Sequence, residues 1–131
     1  MPSNLFLILS YIVFIWLVIL HTFEEISCDI MELQVGKIKL TRNRYLLAAS
    51  AISTINLAVL ALLVLGMPAG YYLGLVTSFI IGVIQAVVHT VGYLRENKQA
   101  RGIGAGFYSS IPLAIIGLIV FIQIIQVILA G

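Results

Sequence analysis

Residues 5–25 read LFLILSYIVFIWLVILHTFEE, and this stretch decides the fold. The run from Leu5 to Leu20 is almost entirely apolar, and His21 and two glutamates follow it directly. Sixteen helical residues cover only about 24 Å at 1.5 Å per residue, whereas the hydrocarbon core of a bilayer is about 30 Å thick. We therefore expect the helix to continue to about residue 27 and to draw His21 and Glu24 into the edge of the membrane.

Three more apolar segments follow along the chain, and each is long enough to cross a bilayer. None shows the alternating polarity of a membrane β-strand, and backbone groups in lipid must be satisfied within the segment, so the segments are predicted to be helices. The fold class is an all-α, integral membrane four-helix bundle that forms a single domain over residues 1–131. The predicted helices cover about residues 5–27, 45–65, 71–95 and 107–129.

The composition excludes a soluble protein. Hydrophobic residues make up 62% of the chain and charged residues only 9%, against roughly 45–50% and about 25% in soluble domains. Membrane lipid is therefore an expected partner. The net charge of +2 gives no reason to expect nucleic acid, and the single cysteine, Cys28, excludes an intrachain disulfide or a cysteine metal cage.

The basic residues indicate an orientation. All seven lie in the two segments after the first and third helices: Lys37, Lys39, Arg42, Arg44, Arg95, Lys98 and Arg101. Because basic loops stay in the cytoplasm, we predict a multi-pass protein of the cell membrane with cytoplasmic basic loops and both termini outside (N-out/C-out).

Ionisable side chains inside a membrane are costly and need a partner or a function. His21, Glu24 and Glu25 share one face of the first helix at spacings of three and four residues. His89 lies within two turns of Arg95 on the third helix, which places both histidines at one depth. The sequence thus predicts that these four side chains form one polar site.

Imidazole and carboxylate together suit Zn, Fe or Mn. The predicted metal ligands are His21, Glu24, Glu25 and His89. Three protein ligands leave a position for substrate, which is typical of catalytic zinc sites. One glutamate, Glu24 or Glu25, would then act as general base, in a hydrolase or oxidase acting on a lipid or another apolar substrate.

Two other functions remain open from the residues alone. The glutamates and His89 can form a proton or cation site of a transporter. Alternatively, the protein is an accessory or structural subunit in which a charge network, such as Glu24 or Glu25 with Arg95 or Lys98, only fixes helix packing.

Further polar residues are candidates for supporting the site. Asn56 lies near mid-membrane and should hydrogen-bond to another helix, and Glu96 either joins the site or pairs with a cation in its own loop. Tyr93 and Tyr108 orient a substrate or form an interfacial aromatic belt. The supporting candidates are Asn56, Gln85, Tyr93, Glu96, Tyr108 and Ser109.

Glycines suggest two further features. Small residues recur every fourth position on the third helix, and such stripes let helices approach closely, which permits a homodimer. They are Gly70, Gly74, Ser78, Gly82 and Ala86.

The glycine-rich segment of residues 102–106 follows no strand and is interpreted as a flexible turn rather than a nucleotide-binding loop.

The motif His21-Thr22-Phe23-Glu24-Glu25 resembles the signature of the HXXEE-domain proteins, small multi-pass membrane proteins without an assigned function. The resemblance extends to Asn56, to His89 and to the Tyr108-Ser109 start of the fourth helix with Pro112 after it. It implies a site at His21, Glu24, Glu25 and His89, with Asn56 as an inner or orienting residue. The family's Tyr-Ser-Pro-Gly is replaced here by Tyr108-Ser109-Ser110-Ile111, which leaves a role of that turn without support.

Overall fold

The protein folds as a bundle of four long helices, seen in a computed structural model that describes residues 2–28, 30, 34–35 and 37–130. Each helix is long and apolar enough to cross a membrane. This confirms the predicted all-α membrane bundle. The helices are α1 (Pro2–Ser27), α2 (Arg42–Val64), α3 (Pro68–Arg95) and α4 (Phe107–Ala130).

Three helices begin before the apolar segments that predict them. α1 begins at Pro2, α2 at Arg42 and α3 at Pro68, rather than at about residues 5, 45 and 71. Thr41 caps α2, because its side chain accepts a hydrogen bond from the backbone N–H of Arg44. Pro68 occupies the first turn of α3, where a missing N–H costs nothing. First turns of this kind, which contain polar residues, proline or glycine, add little to a hydropathy signal.

The helices alternate in direction, so the α1–α2 and α3–α4 connections lie at the same end of the bundle. We call this the basic end, because the seven basic residues lie in these connections or in the adjoining helix turns. The first connection contains a two-residue antiparallel ladder, Gln34–Val35 with Ile38–Lys39, and the second a single 3-10 turn, Gly102–Gly104. Which membrane side the basic end faces stays a prediction.

The core of the bundle is a continuous apolar cluster supplied mainly by α1, α2 and α4. The outward faces carry large exposed apolar side chains, such as Trp16, Leu47 and Ile115, as expected for contact with lipid. The buried members of the core are Leu7, Tyr11, Phe14, Val18, Val59, Leu63, Leu113, Val120 and Ile124.

α3 contributes small residues to the helix contacts instead of large ones. A Cβ atom added to Gly82 would lie 3.0 Å from Cα of Gly117 on α4, and one added to Gly70 would lie 2.8 Å from the backbone of Leu62 on α2. The small-residue stripe is therefore used for packing inside the chain. The homodimer stays a prediction, but this stripe no longer argues for it.

The middle of α3 is a π-helix, Ser78–Ile84, between α-helical parts Pro68–Thr77 and Gln85–Arg95. In the described part of the chain, α2 packs closely on Pro68–Thr77 and separates from α3 beyond it. A groove therefore opens between α2 and the rest of α3. π-helical turns are frequent at functional sites, and this one directly precedes Gln85 and His89.

Candidate metal centre

Three ligand atoms converge near the basic end, and we call them the histidine centre. Nε2 of His21 lies 3.2 Å from Nε2 of His89 and 3.6 Å from Oε1 of Glu25, and the last two atoms are 3.3 Å apart. All three residues are buried. The predicted meeting of His21 with His89 is thus present, with Glu25 as the carboxylate between them.

The size of this triangle suits a transition metal. A point equidistant from the three atoms lies about 2 Å from each, and Zn–N and Zn–O bonds are about 2.0–2.2 Å long. Two histidines and one carboxylate also form the donor set of catalytic zinc sites and of non-haem iron sites. The spacing and the donor types of these three atoms therefore fit a metal.

The surroundings of His89 orient its ring for such a role. Its Nδ1 lies 2.7 Å from the carbonyl oxygen of Ile103. A carbonyl only accepts hydrogen bonds, so Nδ1 must carry the hydrogen and donate it. In a neutral imidazole this leaves Nε2 with a free electron pair directed at the centre, the arrangement usual for metal-ligating histidines.

His21 is held in the same tautomer. The amide nitrogen of Gln85 lies 2.8 Å from Nε2 of His21 and can only donate, so Nε2 accepts. Nδ1 of His21 then donates to the hydroxyl oxygen of Ser109, 2.9 Å away. Gln85 and Ser109, two of the predicted supporting residues, thus both contact His21, and their supporting role stays a prediction.

The consequence is an excess of acceptors. With both histidines neutral, Nε2 of each histidine and Oε1 of Glu25 are acceptors within 3.6 Å of one another in a buried position, and the amide of Gln85 supplies a hydrogen to Nε2 of His21. A cation at the centre, either a metal ion or a proton shared by the group, would satisfy the other two acceptors, and a metal bound to Nε2 of His21 would also displace the Gln85 hydrogen from it.

Glu25 is positioned by a residue that the sequence reasoning missed. The hydroxyl of Tyr45 on α2 donates to Oε2 of Glu25 at 2.8 Å, and Oε1 remains directed at the histidines. Tyr45 is buried. A tyrosine at a predicted membrane boundary is typical of an aromatic belt, so no sequence signal distinguished this residue.

Glu24 has a role different from the predicted ligand or base. Its two carboxylate oxygens accept hydrogen bonds from the backbone N–H groups of Tyr108, at 3.1 Å, and Ser109, at 2.6 Å. It therefore caps the first turn of α4, where free N–H groups favour a negative charge. Among the described residues, the group able to share a metal contains His21, Glu25 and His89, without Glu24.

The segment of residues 102–106 is packed against the site, in contrast to the predicted flexible turn. A Cβ on Gly92 would lie 2.5 Å from the carbonyl carbon of Ile103, and one on Gly106 would lie 2.5 Å from Cε1 of His21. These glycines let the segment approach α3 and α1 closely. The approach brings the carbonyl of Ile103 to His89.

The other predicted supporting residues lie away from the centre. The prediction that Asn56 bonds to another helix is confirmed, since its Oδ1 accepts from Tyr11 at 2.9 Å. It has no contact with either histidine, so the orienting role implied by the family resemblance has no structural support.

Glu96 pairs with Arg101 of its own loop at 3.4 Å, and both side chains are substantially exposed. Tyr93 stacks on Phe107 with ring centroids 4.0 Å apart, and Tyr108 packs edge-on against both rings. Tyr108 is largely exposed. These contacts agree with an interfacial aromatic cluster.

Two cavities meet at the histidine centre. One, of about 200 Å³, is lined by His21, Glu25 and Tyr45 among others. The second, of about 470 Å³, lies in the groove between α2 and α3 and reaches Glu25 and His89. Glu25 and Gln85 line both cavities, so the centre is accessible to a small or elongated molecule.

No protein-family model, no curated protein and no solved structure matches this chain. The resemblance to the HXXEE-domain proteins therefore stays a prediction. The site's geometry is the basis for a functional proposal.

Proposed function

We propose that this chain is a membrane metalloprotein in which His21, Glu25 and His89 hold one divalent metal ion, with Zn, Fe and Mn as the candidates, and that it acts as an enzyme on an apolar substrate. The observation that carries the proposal is the triangle of electron-pair donors, whose centre lies about one metal–ligand bond length from each atom. Both histidine tautomers support it, because neither ring has a hydrogen to place between the donors.

An enzymatic role is supported by the number of ligands. Three protein ligands leave at least one coordination position, and the cavities provide space beside it. A metal bound there would act as a Lewis acid toward a carbonyl or phosphoryl oxygen, or as a redox centre if it is iron or manganese. The protein's own contribution is to orient Glu25 through Tyr45, to fix both histidine tautomers and to shield the site with apolar helix faces.

Transport of a proton or cation is the weaker alternative. A transport path must continue from the histidine centre to the opposite end of the bundle. The core next to the centre instead contains buried Phe14, Val18 and Leu113. The buried hydroxyls there, of Ser78 and Ser110, donate to backbone carbonyls of their own helices. A core without an ionisable group at this level is an electrostatic barrier to an ion.

The test is elemental analysis by mass spectrometry of the detergent-purified protein, as wild type and as His21→Ala, His89→Ala, Glu25→Gln and Glu24→Gln. We expect about one Zn, Fe or Mn per chain in the wild type and its loss in the first three variants. Glu24→Gln is the matched control, because it neutralises the adjacent carboxylate and leaves the three ligands intact. It is expected to retain the metal.

A wild type that stays metal-free after reconstitution with each candidate metal would refute the proposal and favour a shared proton. Equal metal loss in Glu24→Gln and Glu25→Gln would refute the assignment of Glu25 as the ligand.

A further inference from the structure

The larger cavity is a groove that opens sideways from the bundle. Its walls come mainly from α3, with Ile52 of α2 opposite, and are apolar, with Glu25, Gln85 and His89 as the polar exceptions among the described lining residues. Ile80, Ile84 and Val88 at its mouth are 51%, 42% and 47% exposed. Since these helices are of membrane-spanning length and hydropathy, the mouth faces lipid chains rather than water.

Along α3, the residues that line the groove span about the thickness of one lipid leaflet. Ile80 lies near the middle of α3 (Pro68–Arg95), and His89 lies closer to its basic end. The distance from Ile80 to His89 along the helix is about 13 Å at 1.5 Å per residue. Half of the hydrocarbon core is about 15 Å. The groove thus runs from near mid-membrane toward the headgroup boundary, where glycerolipids carry their ester groups.

We propose that this groove binds one acyl chain of a membrane glycerolipid, with the methyl end beside Ile80 and the ester end at the histidine centre. The proposal deepens the proposed function by naming its substrate class, and it rests on that function only for the metal at the ester end. The chain itself is held by apolar burial, which needs no metal.

The polar groups at the inner end of the groove match the polar end of such a lipid. Gln85 lines both cavities, and the amide hydrogen that it does not donate to His21 is suited to an ester carbonyl. The smaller cavity on the other side of Glu25 is lined in part by Thr22 and Tyr45 and provides room for the glycerol side of the molecule. The apolar wall and the polar end therefore define one orientation of the lipid.

Photolabelling with two phosphatidylcholines tests both the binding and its direction. One carries a diazirine near the methyl end of an acyl chain and the other carries it next to the ester. The protein is reconstituted with each lipid, irradiated and mapped by peptide mass spectrometry. We expect the methyl-end probe to label Ile80 and Ile81, and the ester-side probe to label Val88, His89 and Ile103.

Two tryptophan substitutions give a matched pair. Ile84→Trp fills the mouth of the groove and is expected to reduce labelling about tenfold, which corresponds to about 1.4 kcal/mol of lost binding. Ile115→Trp places the same ring on the exposed face of α4, where Ile115 is 57% exposed. It should leave the labelling unchanged.

Uniform labelling of all four helices by both probes would overturn the inference, and so would the reversed order of labelled positions. Metal content is measured on the same samples, so the metal site and the lipid groove can be refuted independently of each other. Ordered labelling without bound metal supports the lipid groove and refutes the metalloprotein. Bound metal with uniform labelling supports the metalloprotein and refutes the lipid groove.

Discussion

Two buried polar clusters lie on the same helices, and they differ in how their hydrogen bonds balance. The tyrosine cluster consists of Tyr11, Asn56 and Thr77, from α1, α2 and α3, and the histidine centre consists of His21, Glu25 and His89. All six residues are buried.

The tyrosine cluster is complete in itself. The hydroxyl of Tyr11 donates to Oδ1 of Asn56, and a second bond of 2.9 Å joins it to the hydroxyl of Thr77. The amide nitrogen of Asn56 donates to the carbonyl of Ile52. Each donor has an acceptor, so the cluster joins three helices and needs no ligand.

The histidine centre has more acceptors than donors, because the ring hydrogens are directed outward and only Nε2 of His21 among its three facing atoms receives a hydrogen, from Gln85. Buried polarity in a membrane helix is therefore not by itself evidence of a binding site. The imbalance between acceptors and donors is the informative feature.

The two clusters should respond independently to mutation. Tyr11 and His21 are separated by about 15 Å of helix at 1.5 Å per residue, and buried Phe14 and Val18 lie between them on α1. Substitutions at sites farther apart than about 10 Å usually have additive effects. Substitutions in each cluster can thus be compared directly.

The largest effect is expected from Gly106→Ala. Gly106 has φ +85°, and a Cβ there would lie 2.5 Å from Cε1 of His21, so the methyl group must displace the ring. We expect metal affinity to fall by more than about 100-fold. Mutation of a residue that only supports a metal ligand typically lowers metal affinity by about 10–100-fold. Competition with a chelator measures the affinity.

Gly66→Ala is its matched control. Gly66 also has a positive φ, +66°, but a Cβ there would meet nothing within 4 Å. Both variants should lose about 1–3 kcal/mol of stability through backbone strain, and only Gly106→Ala should lose metal. Equal metal affinity in the two variants would show that His21 is not a ligand.

An intermediate effect is expected from Tyr45→Phe. Removal of the hydroxyl frees Oε2 of Glu25, and the carboxylate loses the contact that directs Oε1 to the histidines. Metal affinity should fall about 10–100-fold, as measured by the same chelator competition. An unchanged affinity would mean that Glu25 does not depend on Tyr45 for its position.

The smallest effect is expected from Tyr11→Phe, which removes a buried hydroxyl from the other cluster. It breaks two bonds between helices, each worth about 0.6 kcal/mol in a membrane protein, so the free energy of unfolding should fall by about 1 kcal/mol. Denaturant unfolding followed by circular dichroism measures this change. Metal affinity should stay at the wild-type value, and a loss of metal would contradict the independence of the two clusters.

The sequence alone determined the number of helices, their membrane-spanning length and hydropathy, and the position of the site near the basic end of the bundle. These properties depend on local composition, because about 20 apolar residues in a row must span a bilayer whatever they pack against. The pairing of His21 with Glu25 is also local, since residues four apart share a helix face. The equal depth of His21 and His89 followed from their distances to the ends of their own helices.

Only the tertiary structure decided which glutamate faces the histidines. Glu24 and Glu25 are adjacent in sequence but differ by about 100° around a helix of 3.6 residues per turn, so they meet different neighbours. Glu24 meets the first turn of α4 and Glu25 meets Tyr45 and His89. Which of the two faces α4 depends on the rotation of α1 in the bundle, and no pattern within residues 21–25 specifies that rotation.

The acceptor that orients His89 and the groove beside it were likewise decided by packing. The carbonyl of Ile103 reaches His89 because Gly92 lets residues 102–106 lie directly against α3. The groove exists because α2 and α3 separate beyond Thr77, along the π-helical turns. Both features depend on distances between segments that are far apart in the chain, and hydropathy and residue spacing contain no information about such distances.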